Sequence, residues 1–255
     1  MEELKIIKIG GNVIDNPAAL ERFLNDFTKI EGAKILVHGG GVMASQLLKT
    51  MGIEPQMVGG RRITDAETLK VVTMVYAGLI NKNIVAALQK LGCNSVGLSG
   101  ADCNAIRANM RPKEPIDYGF VGDIADVNPK SFGMFLENGI VPVVCAINHD
   151  GRGTLLNTNA DTVASSIAVA MAPFYRTSVI FCFEKNGVLY DKDDDTSIIP
   201  EIDKALFAQL KSEGRVVDGM LPKLENAFKA IDNGVKEVII KHASNLLGNL
   251  QTTIK

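Results

Sequence analysis

The chain has 255 residues, 46% hydrophobic and 22% charged, with a formal net charge of -2 at pH 7. That length buries a full core, as one large α/β domain or as two lobes, and the balance is that of an ordinary globular protein. The near-neutral charge excludes a basic footprint for nucleic acid and an electrostatic anchor for a membrane surface.

Leu4 to Ile9 is apolar at Leu4, Ile6, Ile7 and Ile9, which predicts a central strand covered on both faces, followed by Gly10-Gly11. Asn16-Pro17 reads as a cap with proline at the first helical position, and Leu20, Phe23, Leu24 and Phe27 keep helical spacing. A second buried strand, Ile35 to Val37, runs through His38 into Gly39-Gly40-Gly41 and a helix carrying Met43, Leu47, Leu48 and Met51. This is a βαβ unit, so the two glycine turns are neighbours at one sheet edge. Thr64 and Glu67 have capping-box spacing ahead of a helix apolar almost all round, from Leu69 to Leu88. Such a helix belongs in the core or in a subunit interface.

Val96 to Gly100 predicts a third strand and glycine turn, and Ala105 to Val127 a hairpin-like flap. Asn128-Pro129 opens a helix that Gly139 ends, and Ile140 to Ile147 is a fourth core strand. Asn157, Asn159 and Asp161 precede a small-residue helix, Ala160 to Met171, where polar residues are read as caps or as ligands. Val179 to Phe183 is a fifth strand, and Asp191 to Asp195 a solvated acidic loop without the glycine and distal glutamate of a calcium loop. Leu206 to Leu210 sits in a helix, Val217 to Lys223 opens another that runs to Asn233, and Val238 to Lys241 closes the sheet. Cys93, Cys103, Cys145 and Cys182 have no metal or redox spacing, and Cys145 and Cys182 fall in strands as buried free thiols. With no basic-then-apolar leader and no apolar run of membrane length, a cytoplasmic protein is expected.

The chemistry follows from the turns. Two glycine turns and a helix N-terminus aim N–H groups at one point, an arrangement that attracts anions. Lys8 and Lys223 are candidate cations at the same edge, with Asp161 between them, and Arg62 with Asn157 can hold a second anionic ligand. No histidine is paired as an acid or base, and His38, His149 and His242 read as structural or surface residues. A site rich in positive donors and poor in proton carriers suits phosphoryl transfer to an acceptor that is already ionised, such as a carboxylate.

The ordered motifs Lys8-Ile9-Gly10-Gly11, Val37-His38-Gly39-Gly40-Gly41, Gly60-Arg61-Arg62-Ile63-Thr64-Asp65, Gly97-Leu98-Ser99-Gly100, Gly119-Phe120-Val121-Gly122, Asn157-Thr158-Asn159-Ala160-Asp161 and Gly219-Met220-Leu221-Pro222-Lys223 span essentially the whole chain. Together they resemble the amino-acid kinase family, and within it the branch that phosphorylates N-acetylglutamate in arginine biosynthesis. The resemblance implies a three-layer αβα sandwich with an open, mainly parallel sheet. It implies an N-terminal lobe over residues 1–172 for the acyl amino acid and dimerisation, and a C-terminal lobe over 173–255 for ATP. Lys8 and Lys223 would stabilise the transferring phosphoryl group and Asp161 would orient them. Gly10, Gly11 and Gly39 would face phosphate, and Gly40, Gly41, Arg62 and Asn157 the acyl amino acid. Magnesium would travel on the nucleotide phosphates, with no metal site of the protein's own. The family's arginine-inhibited hexamers carry an extra N-terminal helix, whereas Met1-Glu2-Glu3 precedes the first strand here, which implies a homodimer without that switch.

Several residues depart from the family pattern: Glu184 for an aspartate, Ala101 for a lysine, Asp218 for a glycine, and Arg61 where an apolar residue usually precedes Arg62. An acetyl methyl gains nothing from Arg61, whereas a longer acyl group ending in a carboxylate, such as succinyl, gains a charge-assisted contact. Alternatively Arg61 faces solvent or pairs with an acid. A sibling kinase for carbamate, aspartate, glutamate or a nucleotide, and a non-catalytic regulatory member, are the other readings. Arg62, Asn157 and the flap oppose the first, and joint retention of Lys8, Asp161 and Lys223 opposes the second.

Overall fold

Strand β1 (Glu3–Ile9) lies inside the sheet that organises the molecule, and Leu4, Ile6, Ile7 and Ile9 are all fully buried. Apolar residues on both faces of one strand are what a two-sided covering requires. The structure is a computed structural model and describes residues 1–191, 193–215 and 220–255.

From β1 the chain passes through α1 (Gly11–Ile14) and α2 (Pro17–Thr28) and returns parallel to β1 as β2 (Ala33–His38). Asn16 caps α2, its side chain accepting from Ala19 N–H at 3.1 Å. At the far end the buried Lys34 ammonium donates to the carbonyls of Phe27, Thr28 and Ile30, satisfying a helix terminus from the neighbouring strand.

Helix α3 (Gly41–Thr50) leads to a small hairpin, β3 (Met57–Val58) with β4 (Arg61–Arg62). Next comes a continuous helix over 66–90, made of α4 (Ala66–Thr73), a π-wound stretch (Met74–Ile80) and α5 (Asn81–Lys90). Its cap is Asp65, whose carboxylate accepts from Thr68 N–H at 2.8 Å, one residue beyond the predicted Thr64. Thr64 is drawn away because its hydroxyl donates to the Arg62 carbonyl at 3.0 Å. Contrary to expectation, this helix is long and apolar enough to cross a membrane by length and composition alone. A face carrying Val71, Val72, Val75, Ile80, Ile84 and Leu88 is buried within the protein, which accounts for that composition.

β5 (Ser95–Leu98) precedes the predicted hairpin, β6 (Ile106–Met110) antiparallel to β7 (Gly122–Val127), and then α6 (Pro129–Leu136). The apolar run over 140–147, read as one strand, is two. β8 (Val141–Cys145) stays in the main sheet, while β9 (Ile147–His149) joins β10 (Leu155–Asn157) and the hairpin in a second sheet of order β10-β9-β6-β7. The crossing residue Ala146 is as buried as its neighbours, so hydropathy carries no mark of the break. β10 lies in a segment that reads as merely polar.

The remaining elements are α7 (Ala160–Met171), β11 (Arg176–Phe183), β12 (Glu201–Ile202), α8 (Lys204–Ser212), α9 (Met220–Asp232), β13 (Glu237–His242) and β14 (Gln251–Ile254). Val217, Asp218 and Gly219, expected to open the helix ahead of Lys223, lie outside the described residues. The main sheet has eight strands in the order β12-β14-β13-β11-β1-β2-β8-β5, and only β13 and β14 run antiparallel. Val238 to Lys241 therefore does not close it. β14 and β12 lie beyond, behind a loop that the buried Lys241 ammonium gathers by donating to the Leu246 and Gly248 carbonyls. On one side α6 contacts α7, α7 contacts α9 and α9 contacts α8, and α1, α2 and α5 form another set, giving three layers. Cys145 and Cys182 are buried free thiols, and burial pushes both up to about 12.

The sheet register sets the site. Ile9 is level with His38 on one side and Cys182 on the other, and His38 with Cys145. The turns after β1, β2, β8 and β11 therefore emerge side by side at the carboxyl edge, where open α/β sheets bind ligands.

Candidate active site

A cavity of about 220 Å³ opens at that edge, lined by Lys8, Gly11, Gly39 to Gly41, Arg61, Arg62, Tyr76, Val121 and Asn157 to Asp161. Each wall has a local cause. Gly10 carries the β-ladder one step further, its N–H donating to the Cys182 carbonyl at 3.1 Å, so this expected phosphate donor is already engaged and is not in the cavity wall. Gly11 follows and is. A Cβ on Gly40 would stand 2.4 Å from Ile80 Cδ1 and 2.7 Å from Tyr76 Cδ1, so the second turn touches the 66–90 helix with no room for a side chain. α3 starts at Gly41, and its first-turn N–H groups, lacking acceptors within the helix, head into the cavity region.

The charges come from three elements. Lys8 Nζ, near the end of β1, is 2.7 Å from Asp161 Oδ1 in the first turn of α7. Asp161 is available because Asn159 does the capping, its side chain accepting from Asp161 N–H at 2.9 Å and Thr162 N–H at 3.1 Å. The cap reading of this polar segment thus holds at Asn159, and Asp161 is left free to pair with Lys8. Lys223 Nζ, on α9, lies 4.3 Å from the centre of the Phe183 ring. Burial pushes its pKa below the ordinary lysine value, Asp161 pulls it back up, and the like charge of Lys8 pushes it down again. Lys223 thus feels the Lys8–Asp161 pair, although it is not among the residues that line the cavity.

The opposite wall is a polar relay. Arg62 is buried and its Nη2 donates to the Gly41 carbonyl at 2.8 Å and to Ser45 Oγ at 2.6 Å. Its Nη1 has no partner among the described residues, which leaves a buried cationic donor unmatched beside the cavity. Asn157 Nδ2 donates to Thr64 Oγ1 at 3.0 Å, and Thr64 donates on to the Arg62 carbonyl, so the side chains expected to hold the substrate are tied together. The flap closes this wall: Thr64 N–H donates to the Tyr118 carbonyl at 2.9 Å and Phe120 N–H to the Thr64 carbonyl at 2.7 Å. Gly119 sits between them at φ +68, where a Cβ would stand 2.3 Å from the Thr64 oxygen.

His38 is fully buried, with Nδ1 2.8 Å from the Gly39 carbonyl and Nε2 3.0 Å from Asn81 Nδ2. With Nδ1 donating and Nε2 accepting the ring is neutral, and burial lowers its pKa to about 4. It positions the second turn and carries no proton in or out. Sequence reasoning missed Ser45, Thr64 and Tyr76. Tyr76 alone left a trace, as the only phenol in an otherwise apolar helix, and burial raises its pKa while the facing Arg62 guanidinium lowers it.

Comparisons with known proteins bear on the family and the fold. Residues 3–242 match the model of the amino acid kinase family. The chain is 54% identical over 246 residues to a protein of Parabacteroides distasonis named "Acetylglutamate kinase", covering 96% of each. It is 55% identical over 248 residues to one of the same name from Cytophaga hutchinsonii, covering 97% of this chain and 94% of that one. Among solved structures, N-acetylglutamate synthase from Neisseria gonorrhoeae superposes with a TM-score of 0.83 at 18% identity, over 98% of this chain and 59% of that one, and so shares the fold. With its sheet, its paired glycine turns and these full-length matches, this chain belongs to the amino acid kinase family.

Proposed function

We propose that the protein transfers the γ-phosphoryl group of ATP to the side-chain carboxylate of N-acetyl-L-glutamate, giving the acyl phosphate and ADP, a step of arginine biosynthesis. The observation that carries this reading is the Lys8–Asp161 pair in the wall of a cavity that also holds an unmatched Arg62 donor, with Lys223 near enough to feel that pair. The name shared by relatives more than half identical to this chain supports the acceptor. A carboxylate oxygen attacks the γ-phosphorus as the bond to the ADP oxygen breaks. The acceptor is ionised at neutral pH, so no general base is needed, in keeping with a site whose one histidine is walled off and neutral.

In this reading Lys8 and Lys223 neutralise charge on the phosphoryl oxygens, and Asp161 holds Lys8 in place. Gly11, Gly39 and the first turn of α3 offer N–H donors. Arg62 takes the α-carboxylate, and Gly40, Gly41 and Asn157 line the acyl-amide end. ATP enters as its magnesium complex, the metal riding on the phosphates. Among the described residues there is no group of three or more His, Cys, Asp or Glu side chains placed to hold a metal of the protein's own. Residues 1–172 serve as the acceptor lobe and 173–255 as the nucleotide lobe. The working form is a homodimer, and an ATP-consuming biosynthetic step carried by a chain with free thiols fits the cytoplasm. The test is ADP release from MgATP with a panel of acceptors: N-acetyl-L-glutamate, L-glutamate, L-aspartate and carbamate. Turnover only with the acylated glutamate is expected, and turnover with a different acceptor instead would refute the assignment.

A further inference from the structure

The cavity wall holds one more cation than the proposed acceptor needs. Lys8 is matched by Asp161, the one acidic side chain in the wall among the described residues. Lys223 acts on that pair from outside the wall, and Arg62 is the clamp for one carboxylate. Arg61 lines the same cavity, and among the described residues no carboxylate pairs with it and no side-chain hydrogen bond holds it. It is not a second clamp at Arg62's position. Successive residues of a strand point to opposite sides, and the Arg62 guanidinium is turned toward Gly41 and Ser45. The cavity also presents Tyr76, a buried phenol facing Arg62, beside apolar side chains such as Met57, Val121 and Ala146. An acetyl group ends in a methyl, which returns nothing to a guanidinium that must give up water when the site fills.

We propose that Arg61 is a specificity-determining residue that receives a carboxylate at the far end of the acyl group. The site then takes N-acyl-L-glutamates whose acyl chain ends in a carboxylate, N-succinyl-L-glutamate being the simplest suitable probe, in addition to the acetyl compound. This rests on the acylglutamate kinase reading and deepens it. The acceptor becomes a trianion: one carboxylate is phosphorylated, one is held by Arg62 and one by Arg61. A charge-assisted contact of this kind changes affinity roughly tenfold to a hundredfold.

The experiment measures kcat/KM of the full chain with MgATP for N-acetyl- and N-succinyl-L-glutamate, in wild type, Arg61→Leu and Arg61→Lys. The expected wild type uses the succinyl compound at least as well as the acetyl one. Arg61→Leu lowers the succinyl-to-acetyl ratio roughly tenfold to a hundredfold, and Arg61→Lys, which keeps the charge, restores part of it. The ratio is insensitive to the fraction of folded enzyme, so a merely structural role for Arg61 leaves it unmoved. A wild type that uses acetylglutamate and ignores the succinyl compound overturns the inference and leaves the kinase reading standing, as does a ratio unchanged by Arg61→Leu. Turnover of neither compound overturns both.

Discussion

The ammonium of Lys8 stands 2.7 Å from the carboxylate of Asp161, joining the end of the central strand to the first turn of the small-residue helix. The pair fixes a positive charge at the one edge where four parallel strands deliver their turns. Without Asp161 the lysine would be free to sweep its full rotamer range, and without Lys8 the carboxylate would face incoming phosphate.

Lys8→Ala and Lys223→Ala are each expected to lower kcat by roughly two to three orders of magnitude with smaller changes in KM, because charge on the transferring group peaks in the transition state. Steady-state kinetics with saturating MgATP checks this. A variant that keeps near wild-type kcat removes that lysine from the site.

Arg62→Ala acts on the acceptor. Its guanidinium also holds Ser45 and the Gly41 carbonyl, so the expected change is a rise of roughly tenfold to a hundredfold in KM for the acyl amino acid, with KM for ATP little altered. Ser45→Ala, which leaves the charge in place, should raise KM less. Equal effects on both substrates would mean that the whole turn had collapsed.

His38 links stability to pH. Its folded pKa is about 4 against an ordinary 6.5. Between those values the unfolded chain binds a proton that the folded chain does not. The stabilisation is therefore complete above pH 6.5 and is lost as pH falls toward 4, amounting to about 3 kcal/mol. Urea unfolding midpoints measured across this window should fall more steeply with acid in wild type than in His38→Gln, whatever the absolute stability of the variant. Parallel slopes would show that the ring is protonated in the folded state.

Assembly has its own test. Met74 and Leu79 are more than half exposed on a helix otherwise apolar, so a two-fold partner would bury them. Light scattering should give twice the mass of one chain, and Leu79→Glu should shift the equilibrium toward the monomer. A wild-type monomer at micromolar concentration would exclude the dimer.

Much of this was legible in the residues. The buried strands showed as short, mainly apolar runs, Asn16-Pro17 marked a helix start, and the glycines at positions 11 and 39 to 41 marked the edge. Less legible was anything set by a distant partner. Thr64 has capping-box spacing, yet Arg62 and Asn157 claim its hydroxyl and Asp65 takes over the cap. Gly10 looks equivalent to Gly11 in sequence, and only the neighbouring strand decides that its N–H is occupied. Ala146 sits inside a continuous apolar run where the chain changes sheets, because both sheets are buried there. Lys34 and Lys241 are charged residues within strands, yet both are buried, each gathering backbone carbonyls that no sequence pattern announces.

The π-wound stretch Met74–Ile80 keeps the two halves of its helix in phase. An α-helix turns by about 100° per residue, and π winding accommodates additional residues without breaking the rod. Ahead of the stretch, Val71 and Val72 face the core, and behind it Asn81 reaches His38 and donates to the Val143 carbonyl. Rewinding the same residues as a regular α-helix would complete the ladder, yet swing Asn81, Ile84 and Leu88 by about 100° off the sheet. The winding between Val72 and Asn81 is thus fixed by an angle rather than by a span, and a helix improved by every local measure would be the wrong one.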